Sequence, residues 1–574
     1  MINRIARAFV VVLVIIPSLA FSKVPSSIRP GAVQKSIEEA KPALPKAYRE
    51  VPLKVPKKKR ETKKLKKEIK VLVRGFRFEG NTVLSDEYLA RFIQKHVGKR
   101  LSFSDLEKVC DEISEAYRKR GYFLARAFIP PQEVKGGVVV IKIIEGRLGK
   151  VEVKGEKHYK ARFIKKHFTP ASNGVINYHK LLKTLLLLNE YPDLRVHATL
   201  MRGERPGTTD ILLKVKDKKP VHFYLDYNDY GSRYVSRHRV GSTLVCSNVL
   251  LQGDSFAFRG VVGTPVEQMQ FVRFDYNFPI NSHHTKLGFH YTYLTYKVGK
   301  EYQILDLRGR SKIFTADVVH PAIRTRTTGL DLTLAFDYKQ VRDYLLGMVT
   351  SDDELRILRF QADFNHLDAL KGRTFVTFVG SWGIPDILAG SKRRDPRASR
   401  LGAGGSFLKA GLEIQRIQQM PLETYLIFKL GGQLSWNNLP VSEQYSIGGE
   451  GSVRGFEASE YLGDSGYSAS VEWQVPPPLI LNWRCPFSKE KRLKDVIRLV
   501  GFFDYGRVFL RDPLPGEYKN VGIAGTGCGV RLRLPLGFDC KVDVGFPVGG
   551  VRPSKGSANG SKYRVYVQVV KKLF

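Results

Sequence analysis

From Val221 to Phe574, about 350 residues carry a side-chain alternation of period two and almost no helical periodicity. In "GLDLTLAFDYK" the set Asp331, Thr333, Ala335, Asp337 and Lys339 faces one way, and Leu330, Leu332, Leu334, Phe336 and Tyr338 face the other. "LGFHYTYLTY" sets Leu287, Phe289, Tyr291 and Tyr293 against Gly288, His290 and Thr292, and "ILRFQADFNH" and "YRVYVQVV" behave likewise. One such strand says little, because soluble sandwiches alternate too. A long succession of them, with aromatic-rich apolar faces, needs apolar surroundings and no open edge. A closed barrel in lipid meets both demands, since it pairs every backbone amide. At roughly 20–24 residues per strand and connection, the length suits a transmembrane β-barrel of about 16 antiparallel strands over residues 219–574. The terminal Phe574 is the expected C-terminal barrel signal.

The opening residues fit that compartment. "MINRIARAFVVVLVIIPSLAFS" has Arg4 and Arg7, an apolar run from Ala8 to Ile16, and small residues at Ser18, Ala20 and Ser22. This predicts a secretory signal peptide over residues 1–22; the run is too short for a spanning helix. Much of the net charge of +39 is local, in "KVPKKKRETKKLKKEIK" at Lys54–Lys70. That run reads as a solvated linker, closing a segment 23–70 whose single short helix is expected at Ala32–Lys41, ended by Pro42. Export excludes nucleic acid as a partner, and part of the surplus suits anionic head groups of outer-membrane lipid. The five cysteines are too scattered for a disulfide scaffold or a zinc site. Cys528 and Cys540 flank a hairpin turn at Leu534–Pro535, so they form either a cross-strand disulfide or two isolated apolar positions.

Between linker and barrel lie two modules, 71–147 and 148–218. The first reads strand, helix, helix, strand, strand: "VLVRGFRFEGNTVLS" turns at Gly80–Asn81, and Asp86–His96 is helical. A second helix begins at Ser104, with Glu107 completing a capping box, and Gly121 closes it. "YFLARAFIPPQ" and "GGVVVIKIIEG" are strands split by the Pro130–Pro131 turn. The order returns over Lys150–Lys216, making a small internal repeat.

Late in the barrel, "EQYSIGGEGSVRGFEASEYLGDSGY" (Glu443–Tyr467) joins two strands by a connection long enough to be functional. Either it is displayed outward, or it folds into the bore, where Gly448, Gly449, Gly451 and Gly455 would let it turn tightly. An inward Arg454 needs an acceptor. "GFFDYGRVF" offers Asp504 between Phe502 and Gly506, the glycine leaving room for a guanidinium to fork onto the carboxylate.

These residues carry a resemblance. "SVRGF" (Val453, Arg454, Gly455, Phe456) with "FFDYG" (Phe502, Asp504, Gly506) resembles the loop and wall motifs of outer-membrane barrels that move or insert polypeptides. The upstream modules resemble their polypeptide-transport-associated (POTRA) domains. "GYFLARAFIPPQEVKGGVVVIKIIEGRLG", with Pro130, Pro131 and Gln132, and "RGERPGTTDILLKV", with Pro206 and Gly207, are similar to the two-partner secretion transporters of the hemolysin-activator type. "GNTVLS" and "AGTGCGVRLRLP…DVGFPV" add to this. The resemblance implies capture of an unfolded secreted passenger by periplasmic POTRA domains and its passage through an outer-membrane barrel. It also implies insertion by the barrel assembly machinery and no cofactor. The linker is more basic than the family's, and Ala32–Lys41 is a poor match to its barrel-plugging helix, leaving plugging open.

Within the superfamily an insertase is the alternative; two modules and the PPQ–GG hairpin speak against it. A passive porin with anchoring modules is the other. Catalysis has no support in the sequence. "GTGCGV" at Gly525–Val530 runs into a strand rather than a helix N-terminus, and His283–His284 point apart without a third ligand.

Overall fold

The computed structural model describes residues 28–39, 70–168, 174–478, 483–486, 492–550 and 562–573. The expected signal peptide, most of the basic run and Phe574 lie outside them. Among the described residues sixteen antiparallel strands, from Val221–Asn228 to Arg564–Lys572, close into a barrel. The last strand pairs with the first from Gln568↔Asn228 to Lys572↔Tyr224, so no edge is left open. The alternation sorts by solvent: Asp337 and Lys339 are buried inside, while Leu334 and Tyr338 are 53% and 40% exposed on the outer face. No described helix is long and apolar enough to cross a membrane.

Ahead of the barrel comes helix α1 (Pro30–Glu39). It starts two residues before the expected Ala32, because proline is well tolerated in a first helical turn. Its place settles the plugging question left open by the sequence: it lies inside the barrel. Ile28, Val33 and Ile37 are buried against Phe271, Leu294 and Tyr296, the last two alternating along their strand with the outward Phe289, Tyr291 and Tyr293. Tyr296 Oη donates to the Ile28 carbonyl at 2.7 Å, and Ser311 Oγ to Gln34 Oε1 at 3.0 Å. Ten residues make a marginal helix alone. Burial of three aliphatic side chains, at about 1.5–3 kcal/mol each, holds it to the wall.

The first module contains β1 (Gly75–Glu79), α2 (Asp86–Ile93), α3 (Phe103–Lys119), β2 (Arg126–Phe128) and β3 (Val138–Ile144). The second contains β4 (Arg147–Lys154), α4 (Ala161–Lys166), α5 (Tyr178–Leu188), β5 (Leu194–Arg202) and β6 (Thr208–Asp217). Both sheets place the last strand in the middle, parallel to the first and antiparallel to the second. The capping box of α3 is one turn-start earlier than expected. "LSFSDLE" fits the pattern twice, and it is extended Ser102 that caps: its Oγ accepts from Asp105 N at 3.3 Å while Asp105 Oδ2 accepts from Ser102 N at 3.2 Å. No disulfide joins Cys528 and Cys540; they lie opposite Val544 and Leu532, out of register with each other.

Candidate functional site

Between the strands Tyr425–Ser435 and Ser465–Val475 the glycine-rich connection turns back into the bore. A short ladder, Tyr445–Ile447 with Tyr461–Gly463, forms its root. Gly448, Gly449 and Gly455 adopt φ of 107°, 94° and 105°, open to glycine at no steric cost; Gly451 does not take such a conformation. Val453 and Phe456 are buried in an apolar cluster with Ile447, Val508 and Ile523.

That fold brings Arg454 onto the wall. Its Nε donates to Asp504 Oδ2 at 2.7 Å and its Nη2 to Oδ1 at 2.9 Å, while its own backbone N–H reaches Oδ2 at 3.1 Å. The guanidinium lies over the Phe502 ring, 3.4 Å from the centroid. Further donors go to Glu472 Oε2 at 2.9 Å and Asp543 Oδ2 at 3.4 Å. Arg531 bonds the same two carboxylates, at 3.1 and 2.5 Å, and Lys541 pairs with Glu450. Lys429 lines the same small cavity as Glu450, Arg454 and Asp504. Four cations thus face four carboxylates. Such a matched set keeps each buried charge compensated, and removal of one member is costly, on the order of 3–5 kcal/mol.

Gly506 stands where the motif expects it, for a different reason. A side chain there would meet Ile447 and Val453 at 3.0 Å, so it makes room for the loop's apolar residues rather than for the guanidinium. Close approach of the Arg454 backbone rests on Gly525 and Gly545; a Cβ on Gly545 would come within 2.6 Å of Gly455 N. Tyr566 adds a clasp, its Oη accepting from Gly455 N at 2.9 Å and donating to the Phe456 carbonyl at 2.5 Å. Gly525, Gly545, Glu472, Arg531, Asp543 and Tyr566 were absent from the sequence-derived site. The signal was present: lumen-facing charges and glycines recur in "SVEWQ", "GTGCGVRLRL" and "KVDVGF".

Elsewhere, Pro130 and Pro131 lie in the β2–β3 connection, where prolines have no N–H to extend the ladder. Gln132 substitutes: its side-chain amide donates to the Val140 carbonyl and accepts from Val140 N, both at 2.8 Å. Pro206 and Gly207 form the β5–β6 turn, and the Gly207 carbonyl accepts from Arg147 N at 2.9 Å, tying the turn to the start of β4.

The second module docks on the barrel through helices α4 and α5. His284, at φ 63° in the turn 280–285, wedges its ring against Tyr191 (4.5 Å) and His167 (4.9 Å). Nearby, Arg324 pairs with Glu190 at 2.5 Å. Burial pushes the His284 imidazole down to about 2, helped by the cationic or ionisable His167, Lys286, Arg324 and His283; burial lowers His167 as well. The docked state therefore takes both rings neutral. Its stability is complete above the ordinary histidine value of about 6.5 and is lost as pH falls below it, by up to about 1.4 kcal/mol per unit for His284, with His167 acting in the same direction. Spin labels at Lys165 and His283 are expected to move apart between pH 7.5 and 5.5 in the wild type and not in His167→Phe/His284→Phe; an unchanged wild-type distance distribution would refute the docking role.

Fold and site define a class: an outer-membrane barrel of the superfamily that moves or inserts polypeptides, with a clasped loop in its bore and POTRA architecture at one mouth. Residues 207–532 match the family described as haemolysin secretion/activation protein ShlB/FhaC/HecB, and residues 71–146 match the POTRA domain, ShlB-type. The chain belongs to the ShlB/FhaC/HecB family of two-partner secretion transporters, placed in the outer membrane with the POTRA architecture in the periplasm. It is 24% identical over 499 residues to the heme/hemopexin transporter protein HuxB of Haemophilus influenzae, covering 85% of this chain and 84% of that one. Among solved structures, CdiB from Escherichia coli matches with a TM-score of 0.75 at 20% identity, covering 95% of this chain and 98% of that one. BamA from Haemophilus ducreyi lacking POTRA domains 1–3 matches at 0.51 and 15% identity, covering 87% and 99%. The structural likenesses establish the fold.

Proposed function

We propose that this transporter captures an unfolded passenger at both periplasmic modules, the second being a POTRA module like the first, and passes it through the barrel bore. The observation that carries this is how the bore is filled. Neither α1 nor the Arg454 loop is part of the wall, and between them lies a polar chamber of ≈520 Å³ lined by such residues as His290, Asp317, Lys339 and Glu443. Segments held by side chains alone can leave without breaking the strand ladder, whereas a wall strand cannot. Capture needs no sequence code: an exposed strand edge of a module adds an extended chain through main-chain bonds. In this reading outer-membrane lipid solvates the apolar belt, the assembly machinery inserts the barrel, and no catalytic step is involved.

A reversible lock tests the route. Ser311 and Gln34 are in contact, so Gln34→Cys/Ser311→Cys is expected to tether α1 to the wall when oxidised. Passenger in the medium should fall at least several-fold and recover with reductant. Export at the wild-type rate through the oxidised, tethered protein would exclude the bore as the path.

A further inference from the structure

We infer that the open face of the β4–β6–β5 sheet is a docking surface for an acidic segment of the passenger, an inference that rests on the transport reading above. Strand register lines up like charges. Lys154 of β4 lies opposite Lys214 of β6, and Lys216 opposite Arg195 of β5. Like charges directly across a sheet are destabilising, and a sheet face at liberty to vary would intersperse the two signs. Here Lys154, Lys214 and Lys216 are exposed; of the carboxylates on the face, Glu152 lies 4.0 Å from Lys154, and Asp210, at the other end of β6, accepts from Lys150 N at 2.7 Å. Among the described residues Lys214 and Lys216 have no ion-pair partner.

Orientation selects the partner. The opposite face of the sheet is covered by α4 and α5, through Ile164, Leu185 and Leu188 on Val196 and Leu213. Those helices and the residues flanking them make barrel contacts: Lys160 N with Gln252, His167 with His284, Glu190 with Arg324 and Asp193 with His222. The basic face therefore looks away from the barrel and the bilayer around it. A lipid surface lies on the wrong side, while a chain arriving from the periplasm meets this face first. Complementary charge raises the encounter rate and fixes which segment is held, with little demand on detailed geometry. An extended acidic stretch can lie across the three strands before the chain is handed on.

The test uses the full chain in nanodiscs of zwitterionic lipid and a short fluorescein-labelled Glu/Ser peptide. Lys154→Glu/Lys214→Glu/Lys216→Glu is compared with Lys99→Glu/Lys119→Glu/Lys135→Glu, an equal charge change on exposed residues of the first module. The first variant is expected to weaken peptide binding by about tenfold or more, more steeply at low salt, and to lower passenger export in cells at equal abundance and heat-modifiability. The second should change neither by more than about twofold. Equal binding by the two variants would make the attraction non-specific and overturn the inference, as would wild-type export by the first variant. Flotation with phosphatidylglycerol vesicles should not separate the two variants; selective loss in the first would assign the face to lipid instead. Wild-type export by the first variant with export stopped by the Gln34→Cys/Ser311→Cys lock sinks this inference alone, whereas export indifferent to the lock sinks the transport reading itself.

Discussion

Arg454→Ala is expected to cut passenger export on the order of a hundredfold while the barrel still inserts and remains heat-modifiable. The substitution leaves Asp504 with Ser470 Oγ and a backbone N–H but no ion pair among the described residues: Arg531 and Lys541 are committed to Glu472, Asp543 and Glu450, and Lys429, which lines the same cavity, does not pair with it. A balanced cluster becomes one with an uncompensated buried negative charge, which costs on the order of 3–5 kcal/mol. A shift of that size in the docked-versus-released equilibrium of the loop is a factor of at least about a hundred, and transport that cycles the loop between the two positions fails when the docked one is lost. The wall itself does not depend on the loop, since its sixteen strands close on one another. Arg454→Lys should fall between, keeping charge while losing the fork onto Asp504 and the stack on Phe502. Passenger titre in the medium, normalised to transporter abundance, decides: a wild-type titre for Arg454→Ala would remove the loop from the mechanism.

Barrel class, strand number and the inward arginine were legible because each depends on local pattern or on one pair of motifs. Alternation along Leu330–Lys339 survives any choice of register, and its apolar set emerges on the lipid side. The rest of the cluster depends on which strands lie side by side and at what stagger. Asp504 faces Gly525 across one ladder and Gly529 faces Asp543 across the next, pairings that sequence spacing does not reveal. The same holds for Gly506, whose position follows from the motif but whose neighbours follow from the path of the loop. Helix α1 was harder still. "PGAVQKSIEE" has too few apolar residues to announce a burial site, and its polar Gln34 makes sense only beside the lumen-facing Ser311. Lumen-facing polar side chains can only be matched once the cylinder has been closed.

Deleting Val71–Lys216 is expected to abolish export and leave a folded barrel. The remaining chain starts its wall at Val221, and ring closure uses Tyr224–Asn228 against Gln568–Lys572, none of which lies in the deleted part. What the barrel loses is a dock at its periplasmic mouth: the His284 wedge, the Arg324–Glu190 pair and the Asp193–His222 contact at 2.7 Å. These contacts sit on a turn and at strand ends, so their loss exposes those rather than unravelling a strand. Transport suffers differently. An unfolded chain entering an unaided pore must supply its own alignment, and capture by a nearby module raises its effective concentration at the mouth by orders of magnitude. Removing both modules removes that gain together with the open strand edges. Heat-modifiability and passenger titre separate the two effects. A barrel of normal mobility with undetectable passenger is the expected result, whereas undiminished export would make the modules mere anchors and the barrel a passive pore.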